Sequence, residues 1–112
     1  RIHKDVIRTG PLRVGNLTID LERYQVSKGD QLIELTPTEF KMLELLASNS
    51  GKVFSRLQIG EKTHEYSFEG YERTIDAHIK NLRRKLEENP KEPQYIQTVY
   101  GIGYKFSGDK DE

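Results

Sequence analysis

The sequence contains no cysteine. That excludes a disulfide scaffold, a thiolate nucleophile, a zinc ribbon and an iron–sulfur centre, and it fits a reducing compartment. Long hydrophobic runs are also missing. No stretch approaches the roughly 18 apolar residues that a membrane span needs, and Arg1–Arg8 lacks the apolar core of a secretory signal. No membrane partner is expected, and the expected location is the cytoplasm. An excess of one charge is absent too, because 18 Lys and Arg balance 18 Asp and Glu. What is present is a polar chain of 112 residues, 34% hydrophobic and 32% charged. One domain of this size can bury about two thirds of the surface it exposes when unfolded. The chain starts on Arg1 rather than Met, so a segment of a longer protein is expected.

The neutral total conceals a segregation. Between Arg73 and Leu86 the bases Arg73, Lys80, Arg83, Arg84 and Lys85 face only Asp76. Near the end, Asp109, Asp111 and Glu112 stand against Lys110. Nucleic-acid binders are often neutral overall while one element carries the positive field. Zero net charge therefore leaves DNA open and argues only against an unselective polyanion binder.

Along the chain, residues 1–11 read as a lead-in, 12–106 as one domain and 107–112 as a polar tail. From Leu12 to Leu35, short apolar stretches alternate at period two between turn residues. Gly15-Asn16 and Lys28-Gly29-Asp30 are the turns, and Leu21, Tyr24 and Val26 continue the alternation. This predicts an antiparallel meander of three or four strands. At Thr36 the period changes. Thr36 as N-cap, Pro37 at the first helical position and Glu39 closing a capping box predict a helix start, and Asn49-Ser50-Gly51 a stop. A second, shorter helix is predicted after Ser55 with Gln58 as its capping-box partner, weakened by Gly60. A third helix is predicted over about 71–88. Its Ile75, Ile79, Leu82 and Leu86 form one narrow apolar stripe, with Pro90 and Pro93 beyond. Two strands around Gly101 and Gly103 then predict a hairpin over about 95–106. The fold class is α+β: a winged helix-turn-helix with an N-terminal antiparallel β-meander, three helices and a C-terminal β-hairpin wing.

At about 100° per residue, Arg73, Ala77, Lys80 and Arg84 lie opposite the apolar stripe of the third helix, with Asn81 to one side. Long donors around one small residue suit a helix in a DNA major groove. The small residue permits close approach to a thymine methyl, Asn pairs with adenine and Arg with guanine. The plain alternative for the same pattern is a solvated basic face. The order short helix, connection, basic helix, glycine-tipped hairpin favours the first reading, because it places a recognition helix in the groove and a wing beside it. The connection, Lys62 to Gly70, is long for a simple turn and carries Tyr66 and Phe68, which suggests a second surface for a protein partner.

Two stretches now carry a resemblance. Arg73-Thr74-Ile75-Asp76-Ala77-His78-Ile79 with Leu82-Arg83-Arg84-Lys85-Leu86 is followed by Ile96-Gln97-Thr98-Val99-Tyr100-Gly101-Ile102-Gly103-Tyr104-Lys105-Phe106. Together with Leu35-Thr36-Pro37-Thr38-Glu39-Phe40 and Leu45-Leu46, the chain resembles the OmpR/PhoB family of response regulators over about residues 12–106. The resemblance implies a winged-helix output domain fused behind a receiver domain, regulating transcription from direct repeats in promoters. It implies that Arg73, Thr74, Lys80, Asn81, Arg83 and Arg84 touch phosphates or bases, that Ala77 meets a thymine methyl and that Thr98 touches the backbone from the wing. Tyr100 stands where many members place Arg, and brings a hydroxyl without a charge. The loop Glu65, Tyr66, Ser67, Phe68 and Glu69 matches the family's contact with RNA polymerase. A monomer alone, pairing in tandem on DNA, is the expected assembly.

Enzymatic signatures are missing. Asp76 and His78 point about 160° apart on a helix, so Asp76 is expected to orient a neighbouring Arg and His78 to border the protein–DNA seam. His64-Glu65 has Phe68 where a zinc protease needs a second His. His3, His64 and His78 lie in unrelated segments, and Gly101-Ile102-Gly103 lacks the third glycine of a nucleotide loop. No catalytic residue, cofactor or metal site is expected. A winged helix binding an acidic protein partner remains a competing class. Single-stranded RNA is disfavoured because no sheet face gathers exposed aromatics.

Overall fold

A computed structural model describes residues 11–64 and 70–107. The chain opens with a four-stranded antiparallel sheet of β1 (Leu12–Val14), β2 (Leu17–Asp20), β3 (Gln25–Lys28) and β4 (Gln31–Ile33), paired in sequence order. Its inner row, Leu12, Ile19, Val26 and Ile33, is in register across all four strands. One face thus meets the core, and Arg13, Thr18, Ser27 and Leu32 occupy the other. The expected alternation through Leu21 and Tyr24 is broken. Residues 21–24 form a turn, in which the backbone N–H groups of Glu22 and Arg23 donate to Asp20 Oδ1 and Tyr24 adopts φ 54°. The exposed Tyr24 ring packs edge-on to Phe40 instead of entering the core.

Helix α1 (Pro37–Ala47) starts with the predicted capping box. Thr36 Oγ1 accepts from the Glu39 N–H at 3.1 Å, and Glu39 Oε1 accepts from the Thr36 N–H at 3.0 Å. The same Oε1 takes a bond from Lys85 Nζ at 2.6 Å, tying α1 to the third helix. Burial raises the Glu39 carboxyl's pKa, but the Lys85 ammonium and the Thr36 N–H outweigh it, and the group lies below the ordinary range. Strand β5 (Val53–Ser55) follows, an element with no sequence expectation, and leads into α2 (Arg56–Thr63). Ser55 and Gln58 form the second capping box. Helix α2 runs through Gly60 to Thr63 despite the glycine's cost of about 1 kcal/mol. Ile59 and Thr63 are both buried on its inner face, and Thr63 Oγ1 donates to the Ile59 carbonyl. The connection to the next helix consequently begins at His64 rather than Lys62, with His64 in the left-handed conformation.

Helix α3 (Tyr71–Leu86) buries Ile75, Ile79, Leu82 and Leu86, the whole predicted stripe. It ends two residues before the expected 88. Glu87 leaves the helix in an extended conformation, and its buried carboxylate accepts the backbone N–H groups of Gln94, Tyr95 and Ile96. Those bonds turn the chain into β6 (Ile96–Val99), which pairs with β7 (Gly103–Phe106), and β7 pairs with β5 in a three-stranded sheet. The core gathers Leu17, Ile19 and Val26 from the first sheet, Met42, Leu43 and Leu46 from α1, Ile59 from α2, the α3 stripe, and Phe54, Ile96 and Phe106 from the second sheet. The fold is a winged helix-turn-helix, as the sequence predicts.

Candidate nucleic-acid interface

The burial of the α3 stripe decides which side of that helix faces outward. Arg73, Ala77, Lys80 and Arg84 are exposed, and Thr74, His78 and Asn81 are half-buried along the borders of that face. From Arg73 to Arg84 the helix rises about 16 Å. It thus presents a basic ridge of about three turns, able to enter a groove about 12 Å wide. Within the ridge, Arg84 Nη2 donates to Asn81 Oδ1 at 2.7 Å. The bond restrains both side chains, which reduces the rotamer entropy either would lose on meeting a partner. Three bases in the last turn, Arg83, Arg84 and Lys85, also complement the helix dipole.

Arg83 behaves differently from its neighbours. Its Nε and Nη2 donate to the Ile96 carbonyl at 3.0 and 2.9 Å, and Nη2 donates to Thr98 Oγ1 at 2.8 Å. The guanidinium also lies 5.5 Å from the Tyr104 ring centroid. The resemblance implies that Arg83 touches phosphates or bases and that Thr98 touches the backbone. The structure joins them to each other and commits much of the Arg83 fork to the hairpin.

A second link lies two turns earlier. Arg56 of α2 reaches Asp76 of α3 with Nε at 3.0 Å from Oδ1 and Nη2 at 3.0 Å from Oδ2. The Tyr104 hydroxyl donates to the same Oδ1 at 2.7 Å. Burial, with the Asp76 carboxylate beside it, pushes the Tyr104 phenol up to about 12, so it stays protonated and donating. The expectation that Asp76 orients an arginine holds, and its partner is Arg56. Sequence reasoning missed Arg56 and Tyr104, since their contacts span 20 and 28 positions. The only hints were an Arg directly after the Ser55 cap and the alternation of Tyr104 with Phe106.

The hairpin tip projects beyond these links. Tyr100 is 90% exposed and Ile102 59% exposed, with Gly101 at φ 81° making the turn. Between the tip and the starts of α2 and α3 lies an open cleft of about 440 Å³, bordered by Arg56, Leu57, Tyr71, Glu72, Tyr100 and Ile102. The candidate polymerase loop, Glu65, Tyr66, Ser67, Phe68 and Glu69, lies outside the described residues. Among the described residues no cluster of His, Asp and Glu could hold a metal ion, and no helix is long and apolar enough to cross a membrane.

The family model described as the C-terminal part of transcriptional regulatory proteins matches residues 29–106. The transcriptional regulatory protein BaeR of Escherichia coli O6:H1 is 45% identical over 93 residues, covering 83% of this chain and 39% of BaeR. The chain spans about two fifths of the length of that relative. Among solved structures, the response regulator DrrB of Thermotoga maritima, described as an OmpR/PhoB homolog, superposes with a TM-score of 0.81 at 35% identity. That match covers 88% of this chain and 45% of DrrB. The DNA-binding domain of Klebsiella pneumoniae RstA, solved in complex with its RstA box, gives 0.78 at 34% identity, over 87% of this chain and 96% of that one.

Proposed function

Because the chain belongs to the family of C-terminal domains of transcriptional regulatory proteins, of the OmpR/PhoB effector type, we propose that it binds double-stranded DNA sequence-specifically and regulates transcription as a response regulator's output domain. The observation that carries this reading is the exposed ridge of Arg73, Ala77, Lys80 and Arg84 on the helix that follows α2. In the major groove, Arg84, Asn81, Lys80 and Ala77 read bases, while Arg73 and Thr74 position the helix on phosphates. His78 borders the seam. The wing carries Thr98 and Tyr100 to the backbone or adjacent minor groove. The RstA domain, bound to its own DNA box, supports the placement by analogy.

The greater length of BaeR and DrrB supports a receiver domain joined to this one. A single domain of this size covers few base pairs, so tandem binding of two copies on direct repeats supplies the affinity, with the isolated domain monomeric. The loop from Glu65 to Glu69 contacts RNA polymerase, and the protein acts in the cytoplasm without catalysis. A protein-interaction role for the basic face is disfavoured, since it leaves the Ala77 and Asn81 placements without a purpose. Amide shift mapping on addition of duplex DNA tests the proposal. Perturbations concentrated at residues 73–84 and 98–102 are expected, and perturbations confined to β1–β4 would refute it.

A further inference from the structure

We propose that Tyr104 is a positioning residue for DNA reading: it locks the hairpin to α3 at a fixed angle, and so sets where the wing tip meets the duplex when α3 lies in the groove. This rests on the DNA-binding reading above. Helix α3 grips the hairpin at two points. Arg83 holds β6 through the Ile96 carbonyl and Thr98 Oγ1, and Asp76 holds β7 through the Tyr104 hydroxyl. The two residues are seven positions apart, about two turns or 10 Å along the axis, and so lie on the same face. That face is the flank between the buried stripe and the outward ridge. Pairing with β5 and the buried Ile96 and Phe106 anchor the base of the hairpin, and the two grips on α3 set the angle at which its outer part leaves that base.

Tyr104 takes part in both grips. Its hydroxyl reaches Asp76, and its ring lies under the Arg83 guanidinium. Arg56 braces the Asp76 grip from α2, so that α2, α3 and β7 meet at one carboxylate. The tip residues Tyr100 to Ile102 take no part in either grip; their turn is closed by the Ile102 N–H on the Val99 carbonyl, and the hairpin's angle sets their position. Tyr104 itself is buried on the inner side of the hairpin, so it acts through Tyr100 rather than by touching DNA.

The test uses Tyr104→Phe, which keeps the buried ring and removes only the hydroxyl, combined with Tyr100→Arg, which adds a charge at the tip. In the parent, Tyr100→Arg is expected to steepen the dependence of log affinity on log salt by about one unit. With Tyr104→Phe the steepening should fall to about half a unit or less, because the tip no longer dwells at the backbone. Equal steepening in both backgrounds overturns the inference and leaves the DNA reading intact. A parent that binds all duplexes alike overturns the DNA reading itself. Residual dipolar couplings give a readout without DNA. Amides of the outer hairpin, residues 98–103, should share the alignment frame of α3 in the parent and depart from it in Tyr104→Phe. A common frame in both proteins overturns the inference whatever the binding data.

Discussion

Replacing Gly103 by Ala should damage the wing far more than the small size of the change suggests. Gly103 has no left-handed backbone to protect, unlike Gly15, Gly29, Gly51, Gly70 and Gly101. Its constraint is proximity. A Cβ there would run into the Phe54 carbonyl oxygen and lie 2.8 Å from both the Phe54 carbonyl carbon and the Ser55 Cα. All three are backbone atoms of the strand paired with it, so no side-chain rotation relieves the overlap. To make room, β5 must part from β7, which disturbs the pairs Val53–Lys105, Phe54–Tyr104 and Ser55–Gly103. At about 1 kcal/mol for each disturbed cross-strand bond, plus partial withdrawal of the buried Phe54 ring from the core, the cost comes to roughly 3–5 kcal/mol. Gly101→Ala is the control. Its φ of 81° is strained for Ala, but nothing lies within 4 Å, so about 1–2 kcal/mol is expected. Urea unfolding followed by circular dichroism measures both. The Gly103→Ala midpoint should lie about 1 M below that of Gly101→Ala, given m-values of about 1–3 kcal/mol/M. Equal midpoints would refute the argument from β5–β7 proximity.

Three more outcomes are expected. Arg84→Ala should cost about 1–3 kcal/mol on the preferred site and relax selectivity at one base position; an equal loss on every sequence in an anisotropy titration would reduce it to a phosphate contact. Arg73→Gln should weaken all duplexes alike and flatten the salt dependence by about one unit, and an unchanged slope would remove Arg73 from the interface. Glu39 has a carboxyl pKa below its ordinary 4.5, so its stabilisation is full above that value and is lost as pH falls through the lowered one. Glu39→Gln should therefore cost about 1–2 kcal/mol at neutral pH and differ less from the parent under acid; a constant gap in thermal stability from pH 7 to acid would contradict this.

The helices were legible because their signals are local. Thr36, Pro37 and Glu39 announce α1, Ser55 and Gln58 announce α2, and the i, i+4, i+7 and i+11 spacing of Ile75, Ile79, Leu82 and Leu86 fixes which side of α3 faces inward. Strand β5 was illegible, since three residues cannot display a period and its partner β7 lies about fifty positions away. The end of α3 was misplaced because Glu87 and Glu88 suit a helix by propensity. Only the tertiary bonds of Glu87 to Gln94, Tyr95 and Ile96 pull the chain out of it. Tyr24 failed in the same way, its alternating position overridden by the Asp20 turn. At the interface, the ridge of Arg73, Ala77, Lys80 and Arg84 followed from helical geometry. Arg83 did not, because its partners belong to a hairpin whose approach no local pattern encodes.

The central claim, that the α3 ridge reads the sequence of double-stranded DNA, is tested most directly by selecting binding sites from random duplexes and titrating the winner at several salt concentrations. The account predicts a direct repeat with half-sites about one helical turn apart. It also predicts discrimination of at least about a thousandfold over scrambled DNA at physiological salt. Enrichment of no sequence, with weak binding governed by salt alone, would contradict it.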